Sequence, residues 1–295
     1  MGIKVLSLFD GISAGQVALN RLGIEIDTYW ASEIDKFAIS ITQRHFPDTI
    51  QLGSVTEWRK WDIDWKSIDL LHGGSPCQGF SFAGKQLNFE DERSKLFFDY
   101  VDILNHIKKY NPNVKFLLEN VRMKKTSQEV ITKYMGVEPI FINSRLLSAQ
   151  NRPRLYWTNI EGIEQPEDKG LILRDVLEED DKVNPKYLLT PKTLLTMDRH
   201  RNGRPRWEYH KNPLDGKAAC IVASFYKLGG LGVLDYRKME GKKPRRLTPL
   251  ECERLQTFPD NYTDTLSQTQ RYKAIGNSWT VDVIAHIYKN LKFQQ

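Results

Sequence analysis

Cysteine is scarce in this chain of 295 residues, and its scarcity excludes several classes of protein. The three cysteines, at positions 77, 220 and 252, are too few and too scattered for a disulfide framework or a zinc site. No apolar run is long enough to cross a bilayer, and a strand pattern begins at Ile3 with no signal peptide before it. These absences predict an intracellular protein and argue against secreted, membrane and zinc-finger proteins.

Positive charge is concentrated in one late segment. The chain has a net charge of +6, and residues 199–246 alone contain 13 Lys and Arg against 4 Asp and Glu. Such a stretch is typical either of a solvated basic face or of a surface that binds polyanions by neutralising phosphates. Hydrophobic residues make up 40% of the chain, enough for a real core.

The first part of the chain alternates strand and helix patterns. Strand-like runs lie at 3–9, 26–32, 68–73, 116–120 and 155–158, with helical patterns such as 35–45 between them. This alternation predicts an α/β fold, with a Rossmann-like, mostly parallel sheet covered by helices on both faces.

The later part of the chain changes character. Glycine, proline and basic residues dominate from 161 to 246, where strand-like pieces at 219–225 and 233–236 predict a smaller, irregular β-containing unit. Helical patterns return after Leu247, and Thr248 and Glu251 have the spacing of a capping box. We predict a domain over 1–160, a second over 161–246, and a return to the first domain over 247–295.

A glycine-containing turn follows the first predicted strand. Residues Phe9–Gly15 lead into a helix, and Gly11 and Gly15 allow the backbone to approach a ligand. The turn lacks the glycine spacing of a dinucleotide fingerprint, which favours a ligand without a pyrophosphate. Glu33, 22 residues after Gly11, is placed to accept from ribose hydroxyls. An ordinary tight turn explains the glycines alone equally well.

A proline-fixed cysteine follows another predicted strand. Pro76 restricts the backbone beside Cys77 and places it at the strand's carboxyl end, where α/β sites lie. A lone cysteine is more often a buried, inert hydrophobe, so this assignment depends on its surroundings.

Polar residues mark two further segments. Glu119 ends a predicted strand, and Gln150, Arg152 and Arg154 alternate, which predicts that these three side chains share one face. A helix cap and an edge strand decorated with charge are the simpler explanations.

Together these motifs resemble the DNA (cytosine-5) methyltransferases, over nearly the whole chain and in the family's order. The catalytic loop is similar to that of bacterial restriction-modification enzymes, whereas FDGI, ASE and the SW-x-V ending are more similar to animal de novo methyltransferases. Ser54 stands where the family has an aspartate, and Ser13 where it has a glycine, which bears on cofactor affinity. The matching elements are FDGISAG, SEID, GSPCQGFSFAGKQ, ERSKLFF, ENV, QNRPR, RRLTPLECERLQTFPD and GNSWTVDVI.

The resemblance implies a reaction and its catalytic residues. A methyl group would pass from S-adenosylmethionine to carbon 5 of a cytosine flipped out of a specific DNA site, leaving S-adenosylhomocysteine and requiring no metal. Cys77 would form a covalent adduct with the base, and Glu119 would act at ring nitrogen 3. Arg152 and Arg154 would stabilise the developing charge and order the site.

The resemblance also implies two sets of binding residues. Residues 161–246 would form the target-recognition domain, in which basic side chains hold phosphates or read bases. The DNA-binding candidates are Gln78, Ser81, Phe82, Lys85, Arg201, Arg204, Arg206, Arg245 and Arg246. The cofactor-binding candidates are Phe9, Asp10, Gly11, Ile12, Ser13, Ala14, Gly15, Glu33, Ile34, Ser54, Val55, Pro76, Leu96, Asn277, Ser278 and Trp279.

The expected partner is double-stranded DNA. We expect a monomer that binds no membrane and acts in the cytoplasm, on nucleoid DNA if the source is a bacterium or phage. Whether a cognate restriction endonuclease acts beside it stays open.

Two alternative functions are a transfer-RNA cytosine-5 methyltransferase and an inactive DNA-binding scaffold. The large basic segment and the GSPCQGFSFAGKQ match favour DNA, and the intact catalytic residues favour an enzyme.

Overall fold

A computed structural model describes residues 2–75, 92–201, 204–205, 213–227, 232–234, 236 and 242–293, with backbone alone at 92–94, 200–201 and 204–205. The chain folds into two compact units. One comprises Met1–Ile142, Pro153–Gln165 and Val283–Gln295, and the other Asn143–Arg152 and Pro166–Asp282.

The first unit is built on a seven-stranded sheet with strand order β3-β2-β1-β4-β5-β7-β6. Strand β1 pairs in parallel with β2 and β4, and β4 pairs in parallel with β5, whereas β7 is antiparallel to β5. Strand order reverses at β1 and β4, so their carboxyl ends border the crevice where such sheets bind ligands. The strands are β1 (Ile3–Leu8), β2 (Ile26–Ser32), β3 (Ile50–Gln51), β4 (Leu70–Gly73), β5 (Lys115–Val121), β6 (Ile140–Asn143) and β7 (Pro153–Thr158).

Helices flank this sheet, and both of its faces are buried. Leu6 and Leu8 of β1 and Leu71 of β4 belong to one cluster with residues of helix α3. Val5 and Leu70, which alternate with them, are also 0% exposed. Continuous apolar strands of this kind are typical of a sheet covered on both sides. The helices are α1 (Ala14–Arg21), α2 (Lys36–His45), α3 (Glu92–Tyr110), α4 (Lys125–Met135) and, at the end of the chain, α8 (Val281–Tyr288).

The second unit is smaller and less regular. Its buried cluster includes Ile221, Phe225, Leu247, Leu255 and Ile275. Its described strands are two-residue pairs, β8 (His200–Arg201) with β9 (Arg204–Pro205) and β10 (Val233–Leu234) with β11 (Arg245–Arg246). Its helices are α5 (Pro191–Asp198), α6 (Pro249–Leu255) and α7 (Gln268–Asn277).

The predicted fold class is confirmed, and so is the capping box. The Thr248 hydroxyl accepts from the Glu251 backbone N–H at 3.2 Å, and a Glu251 carboxylate oxygen accepts from the Thr248 N–H at 2.7 Å. These reciprocal bonds satisfy two amides that a helix start leaves without partners.

The strand predicted at 219–225 is wrong. Residues Ala223–Tyr226 form a 3-10 turn. Just before it, the backbone N–H and C=O of Ile221 bond to the Gln150 and Arg152 side chains rather than to a neighbouring strand. Buried backbone groups need partners, and here side chains supply them.

The predicted functional division at residues 160 and 246 stays a prediction. The two compact units divide the chain differently, with 247–282 in the second unit and 283–295 in the first. Among the described helices, none is long and apolar enough to cross a membrane.

A buried ion pair at the start of α6 gives a stability prediction. The two carboxylate oxygens of Glu251 accept from the two terminal nitrogens of Arg245 at 2.7 and 2.9 Å. The Glu251 side chain is 0% exposed and the Arg245 side chain is 2% exposed. Glu251→Gln should lower the free energy of unfolding by about 3 kcal/mol, because it leaves a buried cation poorly compensated. Urea unfolding followed by circular dichroism measures this change.

The matched control is Asp215→Asn, which breaks an ion pair to Arg174 whose side chains are 76% and 59% exposed. It should cost less than about 1 kcal/mol, because water screens the pair. Equal losses in the two variants would contradict the prediction.

Candidate active site

Residues of three parallel strands lie side by side near the carboxyl edge of the sheet. Leu8, the last residue of β1, pairs with Gly73, the last residue of β4, and Gly73 pairs with Leu118 of β5, which continues to Val121. The next residues are therefore the start of the glycine-containing turn Phe9–Gly15, which we call the cofactor turn, the segment that leads to Cys77, and Glu119. Cys77 itself lies outside the described residues, as do Pro76, Gln78, Ser81, Phe82, Lys85 and Arg206.

The segment before Cys77 is held by an asparagine of β5. Asn120, 1% exposed, donates from Nδ2 to the backbone oxygen of Ser75 at 3.2 Å and to its hydroxyl at 3.3 Å. Ser75 is itself buried. Asn120 thus fixes the last described residue before the predicted nucleophile. Asn120 stands in the ENV motif, but the sequence alone indicated no role for it.

Glu119 and Arg154 form an ion pair across β5 and β7. Arg154 Nε lies 2.7 Å from Glu119 Oε1, and each side chain is 12% exposed. The antiparallel register, in which Glu119 pairs with Tyr156 and Val121 with Arg154, brings the two side chains together. Such a charge-assisted bond holds the carboxyl in one orientation near the sheet edge.

Arg152 binds backbone rather than presenting its charge at a surface. Its guanidinium donates to the carbonyls of Ile221 at 2.7 Å, Ser278 at 2.7 Å and Gly276 at 3.3 Å. The residue is 4% exposed. This geometry fits its predicted role of ordering the site and argues against its predicted role of stabilising charge on a substrate.

Gln150 and Gln256 continue this network within the second unit. Gln150 Nε2 donates to Gln256 Oε1 at 3.1 Å, and Gln256 Nε2 donates to the carbonyls of Ile275 and Ser278 at 3.0 and 3.1 Å. Thr280 Oγ1 also donates to Gln256 Oε1, at 2.8 Å. Gln256 was not among the residues predicted from the sequence. Its position in the LQTFPD part of a matching motif could have identified it. The network fixes the backbone on both sides of Asn277.

The cofactor turn after β1 leaves room for a ligand. Gly11 has φ +60°, and a Cβ placed on it would meet no atom within 4 Å. Its N–H donates to Glu33 Oε2 at 2.8 Å, while Glu33 Oε1 accepts from the N–H of Ile34 at 2.7 Å. Ile34 is 76% exposed. Gly11, Glu33 and Ile34 therefore border open space at the ends of β1 and β2.

Several predicted cofactor residues turn their side chains inward. Ile12, Ser13 and Ala14 are at most 3% exposed, so their side chains pack into the protein. The Asp10 carboxylate accepts from the Ser7 hydroxyl at 2.6 Å and the Tyr29 hydroxyl at 2.9 Å. That Asp10, Ile12, Ser13 and Ala14 bind the cofactor stays a prediction.

Other predicted cofactor residues serve the surrounding structure. Val55 is 5% exposed and belongs to the same buried cluster as Leu6 and Leu8, which we call the main core. Leu96 on α3 packs against that core. Ser54 caps a short 3-10 helix by accepting from the Thr56 N–H at 3.3 Å. In the second unit, Ser278 is buried and Asn277 is exposed.

The basic candidates for DNA contact differ in placement. Arg245 is withdrawn from them, because its guanidinium is buried against Glu251. Arg246 is partly exposed and donates to the Tyr226 carbonyl at 3.2 Å. For Arg201 and Arg204 the backbone alone is described, in the β8–β9 pair. The described residues contain no cluster of His, Cys, Asp or Glu that could hold a metal ion.

Comparison with known proteins gives a consistent result. The profile of the family described as C-5 cytosine-specific DNA methylase matches residues 3–293. The chain is 32% identical to type II methyltransferase M.HpaII of Haemophilus parainfluenzae, over 95% of this chain and 86% of that protein. It is 29% identical to type II methyltransferase M.HhaI of Haemophilus parahaemolyticus, over 98% and 94% of the two chains.

Solved structures share the fold at lower sequence identity. A mutant of Spodoptera frugiperda DNMT2 superposes with a TM-score of 0.70 at 21% identity, covering 98% of this chain and 99% of that one. The Dnmt2 methyltransferase of S. pombe gives a TM-score of 0.73 at 19% identity, covering 99% and 100%. At these identities the likeness speaks to the fold.

The carbonyls bound by Arg152 give the prediction from this site. Arg152→Lys should lower the free energy of unfolding by about 2 to 4 kcal/mol, because a lysine lacks the fork that reaches both Ile221 and Ser278. Thermal melting measures the effect. Arg59→Lys is the control, since Arg59 is 63% exposed and should change stability by less than about 0.5 kcal/mol. A melting temperature of Arg152→Lys equal to that of the control would refute this role.

Proposed function

This chain belongs to the C-5 cytosine-specific DNA methylase family, and we propose that it methylates carbon 5 of a flipped-out cytosine in a specific double-stranded DNA site. The observation that carries the proposal is the alignment of Leu8 of β1, Gly73 of β4 and Leu118 of β5 in neighbouring strands. The cofactor turn, the segment before Cys77 and Glu119 follow these three residues directly.

The methyl donor of this family is S-adenosylmethionine, and the residues after β1 and β2 fit it. Gly11 offers open space, and Glu33 lies beside it where a carboxylate can accept from ribose hydroxyls. Exposed Ile34 offers an apolar contact for the adenine. Phe9 and Trp279 are aromatic, which suits a cationic sulfonium. S-adenosylhomocysteine is the expected product, and we propose that no metal takes part.

The chemistry requires a nucleophile because carbon 5 of cytosine is too weak to take a methyl group directly. When bound, S-adenosylmethionine supplies an electrophilic methyl group. The Cys77 thiolate adds to ring carbon 6, which makes carbon 5 nucleophilic. After methylation, loss of the carbon-5 proton restores the ring and expels Cys77.

Glu119 and Arg154 manage the charge that this addition creates. Negative charge builds on the ring, so a proton or strong hydrogen bond at ring nitrogen 3 lowers the barrier. Glu119 is proposed to supply it, oriented by the 2.7 Å contact to Arg154. Arg154 adds positive charge beside the developing anion. Arg152 is proposed as a positioning residue that fixes the Ser278 and Ile221 backbone.

The base must leave the duplex, because the ring cannot be approached from both faces within the stack. We propose that Gln78, Ser81, Phe82 and Lys85 contact the DNA, and that residues 161–246 recognise the target. Their net positive charge favours phosphate contacts, for which Arg201, Arg204, Arg206 and Arg246 are the candidates.

The setting follows from the substrate. A DNA methyltransferase of bacterial or phage origin acts in the cytoplasm, where the DNA is. The curated relatives are named type II methyltransferases, so a separate restriction endonuclease is the proposed companion. We propose that the enzyme works as a monomer, because one chain supplies every residue of the proposed mechanism.

Covalent trapping tests both the nucleophile and the substrate. In the presence of S-adenosylmethionine, duplex DNA containing 5-fluorocytosine should form a denaturant-resistant adduct with the wild-type protein. After methyl transfer, fluorine stands where the carbon-5 proton would be lost, so the cysteine cannot be eliminated. Cys77→Ala should form none, whereas Cys220→Ser should form it normally. Transfer RNA carrying the same base should form no adduct. An adduct with transfer RNA alone would favour the RNA enzyme, and none with either would favour a scaffold.

A second prediction concerns Glu119. Glu119→Gln should slow methyl transfer by about 10²-fold or more, because an amide cannot deliver a proton to ring nitrogen 3. Affinity for S-adenosylhomocysteine should stay the same. Tritium transfer to DNA measures the rate, with Glu129→Gln, exposed on α4, as control. Equal rates in the two variants would remove Glu119 from the mechanism.

A further inference from the structure

A chain of hydrogen bonds runs beneath the cofactor turn, within the first unit. The Tyr29 hydroxyl donates to Asp10 Oδ1 at 2.9 Å and lies 2.9 Å from His72 Nε2. His72 Nδ1 bonds to the Tyr288 hydroxyl of α8. Tyr29, His72 and Tyr288 are at most 3% exposed. These hydrogen bonds thus connect α8, β4 and β2 to Asp10 in the cofactor turn.

The direction of the bonds is fixed by counting protons. A tyrosine hydroxyl has one proton, and that of Tyr29 goes to the Asp10 carboxylate, so His72 Nε2 must be the donor to the Tyr29 oxygen. In a neutral imidazole Nδ1 is then the acceptor from Tyr288. Burial lowers the pKa of His72 to about 3, so the ring is neutral at physiological pH. Every bond in the chain therefore points towards Asp10.

Close packing holds the imidazole in this chain. A Cβ placed on Gly15 of α1 would lie 2.4 Å from a carbon of the His72 ring. The absence of a side chain at Gly15 therefore lets α1 rest directly on His72. His72 therefore packs the strand that leads to Cys77 directly against the helix that follows the cofactor turn.

We propose that Tyr29, His72 and Tyr288 are positioning residues, whose directed hydrogen bonds hold Asp10 ionised and the cofactor turn in its binding conformation. This inference rests on the proposed function, since it concerns affinity for S-adenosylmethionine. None of the three side chains needs to touch the ligand. They act through Asp10, whose neighbour Gly11 borders the open space.

Asp10, the last acceptor in this series of hydrogen bonds, has a pKa close to neutrality. Desolvation raises the pKa of Asp10 to about 6, against the lowering effect of hydrogen bonds from Ser7 and Tyr29. Glu33 after β2 is the charged group that faces it and raises the pKa further. Thr42 of α2, Tyr288 of α8 and Tyr100 of α3 are the other groups around the chain.

The sign of the pH effect follows. A carboxyl whose pKa is raised in the folded protein favours folding in its protonated form, so the stability contributed by protonated Asp10 is lost as the pH rises from 3.8 to about 6. Ionisation at neutral pH serves binding rather than stability. As the pH falls, Asp10 takes a proton, and the Tyr29 bond loses its charged acceptor. Affinity for the cofactor should therefore fall while stability does not.

The test is calorimetric titration of the full-length protein with S-adenosylhomocysteine between about pH 5 and pH 8. Wild-type affinity should fall by about tenfold from pH 7 to pH 5, around the Asp10 pKa of about 6. Asp10→Asn should bind at pH 7 as weakly as the wild type at pH 5, with no further pH dependence. Its melting temperature at pH 7 should equal or exceed that of the wild type.

Variants along the chain should give a graded response. Tyr29→Phe removes a bond to the ionised carboxylate and should move the midpoint up by about 0.5 to 1 pH unit. Tyr288→Phe, two bonds further away, should move it less. Tyr110→Phe is the control, because Tyr110 is 53% exposed on α3, and its profile should match the wild type.

The outcomes separate the inference from the proposed function. If the wild type binds no S-adenosylhomocysteine at any pH, the proposed function fails. If it binds but Asp10→Asn keeps the wild-type pH profile, the titration belongs to another group such as Glu33, and the inference is overturned. A drop in melting temperature that matches the drop in affinity in Asp10→Asn would show a merely structural role. Should Tyr29→Phe fail to fold, Asp10→Asn decides alone.

Discussion

The hydrogen-bonded register of β1, β4 and β5 is the constraint on which the proposed site depends. Leu8, Gly73 and Leu118 stand side by side, so the residues that follow them, Glu119 among them, lie near one edge of the sheet. A shift of one residue in either ladder would turn Glu119 to the other face of the sheet, since side chains alternate along a strand. The main core beneath this edge therefore fixes chemistry as well as stability.

The second unit obtains its order in another way. It has little regular sheet among its described residues, and side chains take over the work of ladder partners. Arg152, Gln150 and Gln256 bond to carbonyls or amides of Ile221, Ile275 and Ser278. Buried groups that are fully bonded in this manner specify one backbone path as firmly as a strand does. Arginine and glutamine residues within the matching motifs therefore stabilise the backbone of this unit.

The sequence predicted the parallel strands well, because uninterrupted apolar runs such as Phe116–Leu118 have few alternatives in an α/β chain. It predicted the Thr248 cap for a similar reason, since both partners lie within four residues. It did not predict that Arg245 is buried, because its partner Glu251 meets it only once β11 and α6 are in place. Nor did it predict the inward turn of Asp10, which depends on Tyr29 of another strand. Local sequence patterns predict helices and strands. The burial and the partners of a charged side chain depend instead on residues that folding brings next to it from elsewhere in the sequence.

The path of the chain between the two units limits how this protein can be recombined. The chain passes from one unit to the other four times, after residues 142, 152, 165 and 282. Leu247, Leu255 and Ile275 share a core with Ile221 and Phe225. A graft of residues 161–246 from a homologue would therefore bring a foreign half of that core against the native half. A graft that also carries α6 and α7 would keep this core matched, and we expect it to be the more stable of the two.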